Sequence, residues 1–379
     1  MRNLHYTLFF LLFVLTSACK KEQQAQEAKN TESANSIKHA KGLEIYKHDG
    51  FSIVKVTNPW PDAKENFTYI MQQKGGIVPD SLKKYTVLQV PLKSIVVTST
   101  THVPALELLG VENTLTGFPT TDYISSINTR KRIDAGKVKD VGVNENLNTE
   151  IMIDLSPDAV VGFSISSNNK TLALLEQSGL KVLYNGDWTE QSPLGKAEWI
   201  KFFGALYDKQ EQADKIFKQI EKDYKEALTL AKNTGKKPTV LSGSMFQGQW
   251  YVPQGGSWAS LFLKDANADY LWKDSEGTGG LALSFETVLD KAENAEYWIA
   301  PGQFASLKEM TDNNPHYGQF SAFKNKKVYS YGTKKGAKGG ILYFEMGPTR
   351  PDLILKDMIK IVHPELLKDY QLYFFDQLK

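Results

Sequence analysis

The sequence predicts an α/β fold. It is read as two α/β lobes with mostly parallel sheets and one long helix between them, preceded by a small N-terminal β extension. Three observations carry this. Short apolar, β-branched runs alternate with short helical patterns, which implies a mostly parallel sheet covered on both faces. That alternation occurs twice along the chain. Between its two occurrences lies an amphipathic run, Lys209 to Lys232, long enough to cross from one lobe to the other. At 379 residues the chain can build two or three cores of ordinary size.

The first residues read as an address. Arg2 supplies a positive start, and Leu8 to Leu15 (LFFLLFVL) is an apolar run too short to span a bilayer. Thr16-Ser17-Ala18 then leads into Cys19, the one cysteine of the chain. This is the pattern of a secretory signal, residues 1–18. It resembles a bacterial lipoprotein box, in which Cys19 becomes the lipid-bearing first residue of the mature chain. Thr16 stands where such boxes usually carry leucine. Residues 19–41 are polar, with an isolated Ile and no aromatic residue. Such a stretch buries too little apolar area to offset its ordering entropy and is expected to be a flexible tether.

From Gly42 to Leu92, YKHDGFSIVKVTNPW and TYIMQQKGGIVPD place aromatic and β-branched residues between turn signals, which predicts the β extension. Ser94 to Thr98 is a buried strand by composition. It enters a helix, His102 to Gly110, through the loop Ser99-Thr100-Thr101. Pro104 suits the first turn and Gly110 the C-cap. Further on, Asn148-Thr149-Glu150 opens a helix that stops at Pro157. Ala159 to Phe163 is a strand, Thr171 to Ser178 a helix, and Lys181 to Tyr184 a strand. The first lobe thus covers residues 42–190.

Ser192-Pro193 is a helix-start pair, and helical sequence runs on to Lys232 with a jog near Tyr207-Asp208. Within residues 191–232, Ala213, Ile216, Phe217, Ile220, Tyr224, Ala227, Leu228 and Ala231 form one apolar stripe, opposed by a charged face. The run from Lys209 would be about 36 Å long. It either crosses between lobes or lies along the surface of one. The second lobe, residues 233–379, begins after Asn233-Thr234-Gly235. It has strands at Thr239 to Leu241, Tyr297 to Ala300 and Lys327 to Tyr331. Helices are expected at Leu261 to Asp269, Phe285 to Lys291 and Arg350 to Ile361. The lobes echo each other, since Glu150 and Glu286 each begin a helix that leads into a strand.

Several chemistries are excluded or disfavoured. With 45 Lys+Arg against 43 Asp+Glu there is no basic excess for nucleic acid. A single cysteine allows neither an internal disulfide nor a multi-cysteine zinc site. The sequence carries no G-x-S-x-G elbow, no G-x-x-x-x-G-K-[ST] phosphate loop and no H-E-x-x-H helix. His48, His102, His316 and His363 are too scattered to predict a metal site. Gly332 to Gly340 (GTKKGAKGG) reads as a mobile surface loop rather than a phosphate cradle.

What stands out is aromatic side chains at predicted strand ends and in Gly-rich loops: Trp188, Phe246, Trp250, Tyr251, Trp258 and Tyr331. Open α/β sheets bind ligands at the carboxyl ends of their strands. Flat aromatic walls there suit a large, planar or partly apolar ligand. Thr100, in the first strand-end loop, is a further candidate contact. Lys334, Lys335, Lys338 and Arg350 would add positive charge for an anionic ligand.

Four segments carry a family resemblance that runs from Lys93 to the end of the chain. They are KSIVVTSTTHVPALELLGVENTLTGF, VGVNENLNTEIMIDLSPDAVVG, WYVPQGGSWASLFLKDANADYLW and RPDLILKDMIKIVHPELL. The sequence resembles substrate-binding lipoproteins of ABC importers, of the iron-chelate/cobalamin type. The glutamate-led helix followed by SPDAVV is the most specific match. The resemblance implies two lobes joined by a single rigid helix, limited closure, and a ligand held between the lobes. By motif, Glu150 and Glu286 would be the exposed glutamates that meet arginines on the permease membrane subunits. It further implies a monomer without enzymatic activity or a cofactor of its own, lipid-anchored to a cell-envelope membrane and facing the periplasm. A ferric siderophore or related metal chelate leads as ligand, with cobalamin or haem as alternatives. A rival reading, an envelope hydrolase using Glu150 and Glu286 as acid and base, requires the two carboxylates within about 10 Å of each other across a cleft. A third, a surface scaffold, requires that cleft to be filled.

Overall fold

The structure, a computed structural model, describes residues 34–379. The signal segment, Cys19 and the tether up to residue 33 lie outside the described residues. The β extension comprises β1 (Leu43–His48), β2 (Phe51–Val56), β3 (Phe67–Gln73) and β4 (Thr86–Val90). They pair in sequence order, antiparallel except for the parallel β3–β4 pair. One face of this sheet, through Leu43, Ile45, Val54, Val56, Tyr69 and Leu88, joins the core of the first lobe.

The first lobe runs β5 (Ile95–Val97), α1 (Val103–Leu108), β6 (Leu115–Phe118), α2 (Ile127–Asp134) and β7 (Lys139–Asp140). A hairpin of β8 (Gly142–Val143) and β9 (Asn146–Leu147) follows. The lobe closes with α3 (Thr149–Leu155), β10 (Ala159–Gly162), α4 (Lys170–Gln177) and β11 (Val182–Tyr184). Its sheet, ordered β11-β10-β5-β6-β7, is parallel throughout. Every residue of β5, β10 and β11 is buried, as strands covered on both faces must be. The pleat divides them: Ile95, Val97, Val161 and Leu183 face one core, and Val96, Val160, Val182 and Tyr184 face another.

Helical sequence then resumes as α5 (Pro193–Glu198), α6 (Ile200–Leu206) and α7 (Gln210–Lys232), with the break at the predicted jog. Asp208 there takes a left-handed φ of 53°. Helix α7 has 23 residues and is about 35 Å long. Its stripe settles which reading holds. Ala213, Phe217 and Ile220 belong to the first-lobe core, while Tyr224, Ala227 and Ala231 belong to the second-lobe core. One helix is therefore embedded in both lobes.

In the second lobe, β12 (Thr239–Ser242) leads to β13 (Ser244–Phe246), β14 (Gln249–Pro253), α8 (Trp258–Asp265), β15 (Asp269–Tyr270) and β16 (Gly280–Leu283). Then come α9 (Phe285–Ala292), β17 (Tyr297–Ile299), α10 (Leu307–Asn313), α11 (Ser321–Lys324), β18 (Val328–Ser330), α12 (Leu342–Met346), α13 (Pro351–Val362) and β19 (Asp376–Gln377). The main sheet is ordered β15-β12-β17-β18-β19, with only β19 antiparallel. A second, three-stranded antiparallel sheet, β13-β14-β16, replaces the loop expected around Trp250. No helix among the described residues is long and apolar enough to cross a membrane.

The expected tether is too long by its last residues. Ile37 is buried, and Ser36 donates its N–H to the Ile45 carbonyl of β1. The fully buried Glu198, at the end of α5, accepts the backbone N–H groups of Lys38, His39 and Ala40 at 2.6–3.0 Å. Glu190 accepts those of Lys41 and Gly42, each at 2.8 Å. Lys201 closes the clasp, with Nζ 2.9 Å from Glu198 and 3.1 Å from the Ser36 carbonyl. His39, assigned to the tether, instead pairs with Glu221 of α7 at 2.9 Å. Two glutamates some 150 residues downstream order a polar segment that composition alone reads as free.

Candidate functional site

The carboxyl ends of β12, β17 and β18 meet at one groove of about 650 Å³ in the second lobe. The residues just past these strands, Gly243, Ala300 and Tyr331, line it. Phe246 and Tyr251 reach it from the small sheet, Trp258 from the start of α8, and Tyr343 and Phe344 from α12. Parallel strands that begin in one layer end in one layer, so their loops converge. Two indole N–H groups fix the floor: Trp250 donates to the Ser242 carbonyl at 3.1 Å and Trp298 to that of Gly243 at 2.9 Å.

Ring geometry builds the walls. Tyr331 stacks on Tyr343 with centroids 4.8 Å apart, and Phe344 meets Tyr331 edge-on at 5.2 Å. Trp258 packs edge-on against Phe262 at 4.9 Å and beside Tyr343 at 5.7 Å. Burial pushes the phenols of Tyr331 and Tyr343 upward, so both stay neutral. The lining holds no Lys, Arg, His, Asp or Glu.

The candidate contacts therefore divide. Phe246, Trp258 and Tyr331 line the groove. Trp250 does not: alternation along β14 turns Trp250 and Val252 inward and Tyr251 outward. Trp250 is fully buried, stacked on Trp298 at 5.2 Å. Trp188 donates its indole N–H to the Pro59 carbonyl at 3.2 Å, packs edge-on to Phe163 and is not part of the groove lining. Thr100 lies in the helical turn before α1, which touches α12 across the lobes, and its carbonyl receives the Val103 N–H. Two of the expected cations are ion-paired. Lys334 sits 3.0 Å from Asp376, and Arg350 holds the buried Asp352 through two bonds of 2.7–2.8 Å. Neither cation lines the groove.

Tyr343, Phe344 and Lys196 were not foreseen. The paired aromatics of ILYFEM, between a strand and the last long helix, are the signal for the first two. Lys196 Nζ binds the carbonyls of Asp187 and Trp188 at 3.1 and 2.9 Å and sits 5.9 Å from the Trp258 ring centroid. It thereby ties a first-lobe turn to a groove wall.

Glu150 and Glu286 occupy equivalent positions in the two lobes. Each is exposed in the first turn of a short helix, capped by the side chain of Asn148 on α3 and of Ser284 on α9. The Glu286 carboxyl is held below its ordinary range by its own backbone N–H and the Ser284 hydroxyl. Among the described residues, no group of three or more His, Cys, Asp or Glu is placed to hold a metal ion.

A second cavity, of about 680 Å³, lies between the lobes. First-lobe residues Glu107, Ser126 and Arg130 line it, facing Lys334, Lys335 and Glu345 of the second lobe. The loop Gly332 to Gly340, read from sequence as a mobile surface loop, is exposed at Lys335 and residues 337–339 but is pressed against the first lobe at two of its glycines. A Cβ at Gly340 would stand 2.1 Å from the Tyr123 carbonyl oxygen, and one at Gly336 would stand 2.5 Å from Ser125 Cα. The glycines let the second-lobe backbone press against the first lobe.

Glu345, almost fully buried, has its carboxyl pushed up from 4.5 to about 7, by burial first and by the nearby Glu107 carboxylate, against the backbone N–H groups it accepts. A folded state that holds this proton more tightly than the unfolded chain gains stability below about pH 4.5 and loses it as pH rises through about 7. Arg130, Lys131, Asp134, Lys334 and Lys335 share its cavity. Glu345→Gln, which keeps the shape without the charge, is expected to flatten this slope. In thermal melts from about pH 5 to 8 the variant should gain on the wild type as pH rises. Parallel curves would show that Glu345 does not titrate in this window.

The chain matches the model of a family described as periplasmic binding protein over residues 95–334. It is 27% identical over 364 residues to an uncharacterised lipoprotein of Methanocaldococcus jannaschii, covering 89% of this chain and 84% of that one. A second uncharacterised lipoprotein of the same organism is 24% identical, covering 96% and 92%. Among solved structures, a possible iron-binding (periplasmic solute-binding) protein from Staphylococcus epidermidis superposes with a TM-score of 0.55 at 21% identity. That match covers 72% of this chain and 99% of that one. The periplasmic haem-binding protein of Vibrio cholerae gives 0.54 at 18% identity, covering 69% and 99%. Both structural likenesses are likenesses of fold.

Proposed function

The chain belongs to the periplasmic binding protein family, and on that premise we propose that it captures a metal chelate in the second-lobe groove and delivers it to the membrane subunits of an ABC importer. The observation that carries this is the aromatic groove at the converging strand ends, lined by rings and small residues without a charged side chain. Such a wall suits a ligand that presents a flat, uncharged face. A ferric siderophore bearing aromatic groups fits this best, and cobalamin and haem remain alternatives. Lys334 and Arg350 are ion-paired and lie off this groove, so the groove itself offers no charge for a strongly anionic chelate.

The hydrolase reading has less support. Glu150 and Glu286 are both exposed, on helices of different lobes, rather than lining either side of one cleft. Delivery through these glutamates, and attachment to a membrane through Cys19, complete the proposal. The names of the archaeal relatives, which are called lipoproteins, support the anchor.

The test is a thermal-shift screen of the full chain with a ferric catecholate, a ferric hydroxamate, haemin and cyanocobalamin. Saturation at about 100 times Kd stabilises by roughly 2.7 kcal/mol. A binding probe is also expected to quench tryptophan fluorescence, less in Trp258→Phe and equally in Trp188→Phe, which lies off the groove. No stabilisation across the panel, or quenching indifferent to Trp258, would overturn the assignment.

A further inference from the structure

Helix α12 carries two kinds of residue at once. Tyr343 and Phe344 line the groove, and the next residue, Glu345, leaves the second lobe altogether. Its Oε2 accepts the Ser125 N–H at 2.5 Å and its Oε1 the Ser126 N–H at 3.0 Å. Those two N–H groups stand at the start of α2, for which Ser126 is the N-cap. The Ser126 hydroxyl is already committed, accepting from the Thr129 N–H and donating to Glu107. Glu107 also accepts the Thr129 hydroxyl at 2.6 Å. The first lobe therefore satisfies the interior of its own helix start and leaves two backbone donors to a carboxylate from the other lobe.

We propose that Glu345 is a positioning residue: by capping α2 across the lobes it fixes α12, and with it the Tyr343 and Phe344 wall of the groove. A carboxyl group holding two backbone donors is directional, because moving α12 takes their shared acceptor from both amides. The glycines at 336 and 340 bring the preceding loop into contact with residues 123–125, which sets the distance over which Glu345 must reach. Occupancy of the groove against Tyr343 and Phe344 is thereby linked to the contact between the lobes, at a point separate from α7. Only this last consequence rests on the groove being the ligand site.

Hydrogen exchange on the full chain tests the role without a ligand, so its failure is distinguishable from failure of the groove assignment. Glu345→Ala is expected to speed exchange about tenfold or more at the Ser125 and Ser126 amides and across residues 341–347, the change that losing a shared hydrogen-bond acceptor brings. The strands β12 and β17 should be unaffected. Glu345→Gln, which keeps an acceptor, should restore most of the protection. Gly340→Ala, which drives the loop off Tyr123, should reproduce the Glu345→Ala pattern without touching the carboxylate. Faster exchange confined to Ser125 and Ser126 would make Glu345 a local cap only. A uniform rise over both lobes would make it a general stability residue. Either result overturns the proposal.

Discussion

A chain carrying Glu150→Ala together with Glu286→Ala is expected to bind its ligand as tightly as the wild type and to lose transport. Neither residue lines the groove, and both are exposed on helices whose caps are other side chains, Asn148 and Ser284. Truncation therefore costs the fold little beyond a favourable charge near a helix start. What it removes is one negative charge per lobe at matching positions. Charge pairs of that kind steer encounter and set orientation. Removing both should affect the docking of the whole body rather than one end of it. The measurement is uptake in cells beside a binding assay on purified protein, with single variants expected to fall between. Weakened ligand binding would assign the glutamates to the site, and normal uptake would remove them from docking.

The second large effect concerns stability. Glu198→Ala is expected to destabilise the protein by about 3 kcal/mol or more, as removal of one partner from a buried ion pair does. Its carboxylate serves the backbone N–H groups of Lys38, His39 and Ala40 and the ammonium of Lys201, whose side chain is 6% exposed. Asp214, 3.2 Å from Lys201, compensates only the ammonium. The three amides have no other acceptor of this strength within the clasp. Denaturant melts give the size of the loss, and proteolysis gives its place. Cleavage within 34–42 should appear in Glu198→Ala before cleavage elsewhere, and Glu198→Gln should lose less. A change below about 1 kcal/mol would mean that the segment is held by Ile37 and the Glu190 contacts instead.

Legibility followed the range of the interactions. The stripe of α7 could be read because each residue's position on a helix depends on its neighbours three and four places away. The strands β5, β10, β11, β12, β17 and β18 are evident from composition, and so are the helix starts at Asn148 and Ser192, where a side chain caps an amide three residues on. The stretch from 111 to 147, with β6, α2 and β7, shows no element pattern in its sequence. Its two-residue strands and its helix INTRKRID carry almost no apolar pattern. Trp250 was misplaced because aromatic residues among glycines signal a loop and an antiparallel strand equally well. Pairing with β16, some 30 residues away, decides between them.

The fold class of this protein is carried by local patterns in its sequence. Alternating short strands and helices, one long amphipathic helix and the repeated glutamate-led helix suffice for two α/β lobes, because each is a local pattern that any folded form must honour. Where the aromatic groove lies, that Lys334 and Arg350 are already paired, and that polar residues 34–41 are bound rather than free are properties of the folded chain alone. Each of these depends on groups far apart in the chain, such as Glu198 with Lys38, Lys334 with Asp376, and Glu345 with Ser125. A charge or an amide reads the same in sequence whether it faces water or a partner, and only packing brings the partner to it.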